Sequence, residues 1–188
     1  MGDPKFNRKT YETPRHPWEG ERIREERELM RRYGLKNKRE VWKAKSILGK
    51  YRAQARVLQA RLRYGHKQSE IELKQMMDRL VRYGILDESN TNLDAVLSLT
   101  VEDILKRRLQ TIVYLKGLAR TPKQARQFIV HGHIAIGDRR VTVPSYLVKV
   151  EEEPLIRYCE YSPLANEAHP MRPDVVERPE AEVREGDN

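Results

Sequence analysis

Between residues 106 and 150 the chain carries ten lysines and arginines against a single acid, Asp138. Seven of those cations fall where one ligand could meet them: Arg107, Arg108, Arg120, Lys123, Arg126, Arg139 and Arg140. Lys123 and Arg126 share a helix face opposite Ala125, Phe128 and Ile129, with Gln127 beside them and Arg120 one turn earlier. Cations so spaced repel one another unless an anion lies between them. Thr121 and Gln124 mark the start of that helix, and a helix N-terminus adds free N–H groups and partial positive charge suited to phosphate. Arg139 and Arg140 belong to a turn further on, so helix, turn and preceding segment could line one concave, phosphate-binding surface.

Bond-making chemistry finds no comparable support. His131 and His133 have no carboxylate or cysteine near enough in sequence to complete a metal site, so no metal is expected. They suit dipole compensation at a helix C-terminus or contact with a nucleic acid. "GHIAIGDR" has the outer glycines of a phosphate loop but not the Lys and Ser/Thr that should follow, and it succeeds a helix where that loop succeeds a strand. GxSxG and HExxH are absent, as is a carboxylate pair in apolar surroundings. The expectation is a binding protein with no enzymatic activity and no cofactor.

Charge along the whole chain supports this. Residues 1–63 hold nineteen Lys/Arg against eight Asp/Glu, residues 64–105 four against eight, and residues 151–188 four against eleven. The first basic block supplies Lys43, Lys45, Lys50, Arg52, Arg56, Arg61 and Arg63, with Arg52 and Arg56 four apart on one helix face. Two basic blocks alternating with two acidic ones, at a net charge of +9, form an electrostatic footprint for a polyanion. Cys159 is the only cysteine among 188 residues, which excludes a disulfide framework and fits a reducing, cytoplasmic setting. No stretch approaches the about 18 uncharged apolar residues of a membrane span. The N-terminus lacks the apolar core of a secretory signal.

The elements that position these groups are mostly helical. Residues 1–18 form a basic, proline- and aromatic-bearing extension suited to folding on a partner. A charged helix runs from Glu19 to Tyr33 and stops at Gly34. A second opens at Asn37 with Glu40 as capping partner and Val41, Trp42, Ile47 and Leu48 as its apolar stripe. Ser69 and Glu72 read as the capping box of a third, with Leu73, Met76, Met77, Leu80 and Val81 inward and Gly84 ending it. "TVEDILKRRLQTIVYLKG" reads as one helix capped by Thr100 and Asp103, with Leu105, Leu109, Ile112 and Val113 inward. Next come a short helix begun by Thr121, Pro122 and Gln124 and ended by Gly132, then a hairpin. A four-residue loop, Gly137 to Arg140, would oppose Ile136 to Val141 and Ile134 to Val143. A further strand fits at Leu155–Tyr161, and residues 166–188 read as an acidic tail. The fold class is α+β, mostly α: a basic helical domain over 19–100, a two-helix-and-hairpin module over 101–150, and a C-terminal segment over 151–165.

The stretch from Arg107 to Val148 closely resembles the RNA-binding module named after small-subunit ribosomal protein four. Its "R-L" matches Arg108-Leu109. Its glycine, alanine, Ser/Thr and "A-R" positions match Gly117, Ala119, Thr121, Ala125 and Arg126. Its "G-H-I" falls on residues 132–134, and "P-S-Y" on residues 144–146. The module is shared with pseudouridine synthases and a heat-shock RNA binder, so an RNA-modifying enzyme and a free stress-response binder stand as alternatives. "TIVYLKG", "HGHI" and "VPSY" after a basic helical segment extend the likeness to the ribosomal family itself over residues 1–165. No four-cysteine knuckle is present, which resembles the archaeal and eukaryotic branch. Gln110 stands where many bacterial members have aspartate, and Gly137-Asp138 where Asn-Gly is frequent.

The resemblance implies a primary ribosomal RNA binder that docks on a 5′ domain junction, nucleates assembly of the subunit body and tunes accuracy beside protein five. Messenger RNA where it enters the subunit is a further implied neighbour. Arg107, Arg108, Arg120, Thr121, Lys123, Gln124, Arg126, Gln127, His131, His133, Arg139 and Arg140 are the expected RNA contacts in the module. Lys43, Lys45, Lys50, Arg52, Arg56, Arg61 and Arg63 of the first block join them.

Overall fold

Three helices built from the charged first half make a platform. The computed structural model describes residues 8–89, 92–167 and 169–173. Within them α1 spans Gly20–Arg32, α2 Lys38–Arg63 and α3 Lys67–Arg82, followed by the short α4, Leu93–Ser98. Helix α1 ends in a Schellman motif: Gly34 takes φ +59°, and Leu35 N–H donates to Met30 O at 2.9 Å. Asn37 caps α2 as its sequence suggests, its side chain accepting from Glu40 N–H. The helix runs unbroken through the exposed Gly49. Val41, Ala44, Leu48, Ala55 and Leu58 form its buried face, a stripe of small and branched residues, while Trp42 and Ile47 are only half-buried.

That face packs on Met76, Met77 and Leu80 of α3 and on Val96, Leu99, Ile104 and Leu105. The capping box expected at Ser69 and Glu72 does not form. Helix α3 starts earlier, with His66 as its N-cap, and Ser69 is buried inside the first turn. An acid absent from the sequence reading sits at the base of the platform. Glu26 is 0% exposed and accepts from Arg22 and from Trp42 Nε1, each at 2.9 Å. Burial works to raise its pKa, but those bonds and the nearby Lys45 outweigh burial and leave it below the ordinary carboxylate value. Tyr11 of the extension lies 6.0 Å from Trp42, ring to ring, and Glu12 N–H donates to Ser46. Residues 9–15 therefore lie along α2, and the His16 and Pro17 carbonyls accept from Arg22 of α1; residues 1–7 of the extension fall outside the described residues.

The helix expected from Thr100 to Gly117 is two helices. The Thr100–Asp103 capping box starts α5, Val101–Lys106, and α6 follows over Leu109–Leu115. Between them Arg107 turns the chain and Arg108 runs extended, bridging Leu147 in antiparallel fashion. Thr111 Oγ1 donates to the freed Leu105 carbonyl at 2.7 Å. The orphan N–H groups of Leu109 and Gln110 donate to the Tyr146 and Pro144 carbonyls. A strand-like segment distant in sequence thus replaces a side-chain cap. Helix α7, Pro122–Val130, has Thr121 as N-cap and Pro122 at its first position. Gln124 reaches back one residue beyond the expected partner, accepting from Arg120 N–H at 2.7 Å.

Beyond Gly132, β1 (Ile134–Ile136) pairs antiparallel with β2 (Arg139–Arg140) on one side and β3 (Ile156–Tyr158) on the other. The hairpin register differs from the expected one. Ile136 faces Arg139 and Ala135 faces Arg140, so the loop is the two residues Gly137 and Asp138, and Val141 N–H bonds to Ile134 O. Val143 is consequently left exposed. Leu109, Ile112 and Val113 of α6, Phe128 and Ile129 of α7, and Ile134, Ile156 and Tyr158 of the sheet form a second core. The Tyr158 hydroxyl donates to Leu118 O at 2.6 Å and pins the third strand beneath α6. The acidic tail lies outside the described residues from position 174 onward.

Candidate nucleic-acid interface

The module's cations divide into two sets. The inner set is bound within the protein. Arg108, 5% exposed, donates to Glu40 Oε2 at 2.8 Å. Arg126 reaches the same carboxylate with both terminal nitrogens, at 2.8 and 3.1 Å. Arg107 donates to Glu153 at 2.8 Å and to the Val148 carbonyl. Arg126, expected among the RNA contacts, is thus already paired within the protein. Its counter-charge is Glu40, contributed by α2 86 residues away in sequence. Burial tends to raise the pKa of Glu40, but the hydrogen bonds and charges of Arg126 and Arg108 outweigh it, so the carboxyl is held below its ordinary value.

Gln110 completes this joint. The two hydrogens on its Nε2 are shared among the carbonyls of Tyr33 at 3.1 Å, Gly34 at 2.9 Å and Pro122 at 2.9 Å, while its Oε1 accepts from Arg126 at 3.3 Å. An aspartate could supply none of those donors. The amide ties the end of α1, the start of α7 and the Glu40 pair into one buried knot. Lys43 lies beside it, exposed, on the rim of a groove of about 260 Å³ shared with Arg108, Arg126 and Ser145.

The outer set faces water. Lys123, Arg139 and Arg140 are exposed and form no ion pair among the described residues. Arg139 stacks over Tyr146 with its guanidinium carbon 5.8 Å from the ring centre. Arg120, Thr121 and Gln127 are exposed too, and Gln124 is half-buried. At the end of α7, His131 is exposed and His133 half-buried, their rings 6.2 Å apart. Burial, with His131 and His169 nearby, lowers the pKa of His133 and favours its neutral form. Among the described residues no group of three or more His, Cys, Asp and Glu could hold a metal ion, and no helix is long and apolar enough to cross a membrane.

The first basic block is divided in the same way. Lys45 stands 3.8 Å from the buried Glu26, and Arg52 donates to the Leu99 carbonyl. Lys43, Lys50, Arg56, Arg61 and Arg63 are exposed, with no ion pair among the described residues. An arginine's exposure depends on acids tens of residues away, which no local spacing encodes.

A small helix-and-hairpin unit with one face bolted to a basic helical platform and the other studded with free cations is a nucleic-acid-binding module on a support. The family model described as the S4 domain matches residues 107–154, and that of the ribosomal protein S4/S9 N-terminal domain matches residues 5–106. The chain is similar to the small ribosomal subunit protein uS4 of Thermoplasma volcanium, 57% identical over 172 residues that cover 92% of this chain and 86% of that protein. The protein of the same name from Thermoplasma acidophilum is 54% identical over 188 residues, covering 99% and 94%. That of Methanococcus aeolicus is 54% identical over 176 residues, covering 94% and 98%. The chain belongs to the ribosomal protein S4/S9 family.

Proposed function

We propose that the chain is a structural, ribosomal-RNA-binding component of the small ribosomal subunit and not an enzyme. Its work is positioning: cations meet phosphates, and junction shape is read through backbone and 2′-hydroxyl contacts. The observation that carries this reading is the outer cation set, Lys123, Arg139 and Arg140, left without ion pairs among the described residues on a module rigidly bolted to its support. Family membership points to the same partner. In this reading residues 101–150 are the RNA-binding module and 19–100 its platform, with the exposed Lys43, Lys50, Arg56, Arg61 and Arg63 as a second region of phosphate contact. A 5′ domain junction, protein five, messenger RNA where it enters the subunit, and a cytoplasmic location belong to the same proposal. So do nucleation of subunit assembly and an influence on accuracy.

Salt dependence tests it. With about six to ten phosphate contacts, affinity for small-subunit ribosomal RNA falls ~10³- to 10⁵-fold between about 50 and 200 mM salt, on the duplex-DNA scale. A flat profile overturns the electrostatic reading. Near-stoichiometric sedimentation with small subunits through a high-salt wash is expected, whereas a chain found mainly free would favour the stress-response alternative.

A further inference from the structure

We propose that the cleft where α7, the hairpin and the segment after β3 meet is a pocket for one unstacked RNA nucleotide. Tyr161 receives its base and Arg140 its phosphate. The inference rests on the RNA-binding reading above and gives that reading a particular site and substrate form.

The cleft measures about 380 Å³, and His131, His133, Arg140, Tyr161 and Ser162 line it. Its size lies within the about 300–1,000 Å³ range of small-ligand pockets, which suits a single nucleotide. Single-stranded RNA is recognised in this way, with splayed bases stacked on aromatic rings and bonded at their edges. Tyr161 is 96% exposed, the most exposed large apolar side chain among the described residues. Neither its ring nor its hydroxyl has a protein partner among them. A ring left bare beside a polar cleft is a stacking platform in search of a flat partner.

The polar groups are oriented for the rest of the nucleotide. Ser162 Oγ accepts from Leu164 N–H at 3.1 Å and stands 2.8 Å from His133 Nδ1. Leu164 takes one lone pair of the hydroxyl and leaves its proton and second lone pair for Nδ1, so the serine bonds the imidazole in either neutral tautomer. The ring is held edge-on to Phe128 at 6.1 Å. His133 is therefore a polar ring held in one orientation within the cleft lining.

Arg140 is aimed by its neighbour. Gly132 adopts φ +77°, and a Cβ there would lie 3.0 Å from Arg140 Cδ, so the arginine stem crosses a bare Cα at close range. The acid at the rim does not neutralise Arg140. Asp138 is engaged by Arg157 at 3.0 Å, and Arg157 also binds Glu160 at 3.1 Å. The cleft thus presents an uncompensated guanidinium, an oriented imidazole and a bare aromatic ring within one nucleotide's reach.

Photocrosslinking with the full chain tests this. Small-subunit ribosomal RNA is transcribed in separate preparations with 4-thiouridine and 6-thioguanosine, irradiated with the protein, and the adducts are mapped by mass spectrometry. The expected result is a nucleotide adduct on the peptide containing Tyr161. Tyr161→Ala loses it and weakens association about five-fold or more, while Tyr161→Phe keeps both, and both variants melt like the parent. Arg140→Gln lowers the salt slope by about one. Unchanged affinity in Tyr161→Ala, with adducts confined to other peptides, overturns the pocket and leaves RNA binding standing. Absence of any binding by the parent chain overturns both.

Discussion

Replacing Glu40 by glutamine removes the single negative charge that two arginines of the module share. Arg108 and Arg126 each approach the carboxylate at 2.8 Å, and the three side chains are 6%, 23% and 14% exposed for Arg108, Arg126 and Glu40. Arg126 can turn to water, but Arg108 cannot. Burial already presses its pKa down, Glu40 opposes that pressure, and its Nε lacks a hydrogen-bond partner. The variant therefore strands one buried guanidinium, which costs about 3 kcal/mol, the low end for a broken buried pair. In a chain of this length that is about 6–12 °C in Tm.

The assay is thermal and urea unfolding of Glu40→Gln, Arg108→Met and the double variant. Arg108→Met on the Glu40→Gln background removes the stranded charge and is expected to restore much of the loss, so the two changes are strongly non-additive. The pH dependence has a definite sign. Glu40 has a folded pKa below the ordinary 4.5, so its contribution is complete above that value and disappears as pH falls through the lowered one. The stability gap between parent and variant should be flat at neutral pH and close in acid. A loss below about 1 kcal/mol, the size of a solvated surface pair, would refute the reasoning, as would strict additivity with Arg108→Met.

Two further perturbations probe the same joint. Gly34→Ala places a Cβ 2.8 Å from Pro122 Cβ and 3.0 Å from Gln110 Nε2 at φ +59°. The left-handed backbone alone costs about 1–2 kcal/mol, and denaturant unfolding should show a larger total because Pro122 backbone stands in the way. Gln110→Glu keeps the shape but turns a donor toward three carbonyls into an acceptor. At 1% exposure the expected loss in the same assay exceeds about 3 kcal/mol, beyond the range for one unsatisfied neutral group, and a neutral result would mean the three carbonyls find donors elsewhere.

Local signals were legible in the sequence because they are local in physics. Asn37, Thr100 with Asp103, and Thr121 start helices where their side chains meet the first N–H groups, and Pro122 fits the first helical position, where no N–H is needed. The inward stripe of Leu105, Leu109, Ile112 and Val113 was equally plain, yet the chain breaks within it. Leu105 packs in the platform core and Leu109, Ile112 and Val113 in the module's core, and at the break the N–H groups of Leu109 and Gln110 bond to the carbonyls of Tyr146 and Pro144. The hairpin posed a parity problem. Pairing Ile134 with Val141 or with Val143 keeps apolar residues on one face, since the registers differ by two. The short Gly137-Asp138 turn chooses the first. In the site, residue types and their clustering were legible, but the division into paired and free cations was not. Glu40 stands 68 residues from Arg108 and 86 from Arg126.

That division bears on how so small a module presents a cationic face. Lys123 and Arg126 are three residues apart on α7, yet one faces water and the other is locked to α2. Like charges crowded on one surface oppose folding, and the module answers by turning part of its positive charge inward onto a carboxylate of its support. Each inward arginine then fixes the frame from which its outward neighbours are aimed. RNA affinity should accordingly respond to the two sets differently. Loss of an outer cation removes one phosphate contact and reduces the salt slope, whereas loss of an inner one loosens the frame and weakens binding through geometry with the slope preserved. Alanine substitutions that treat all these cations alike would merge two effects that the position of Glu40 keeps apart.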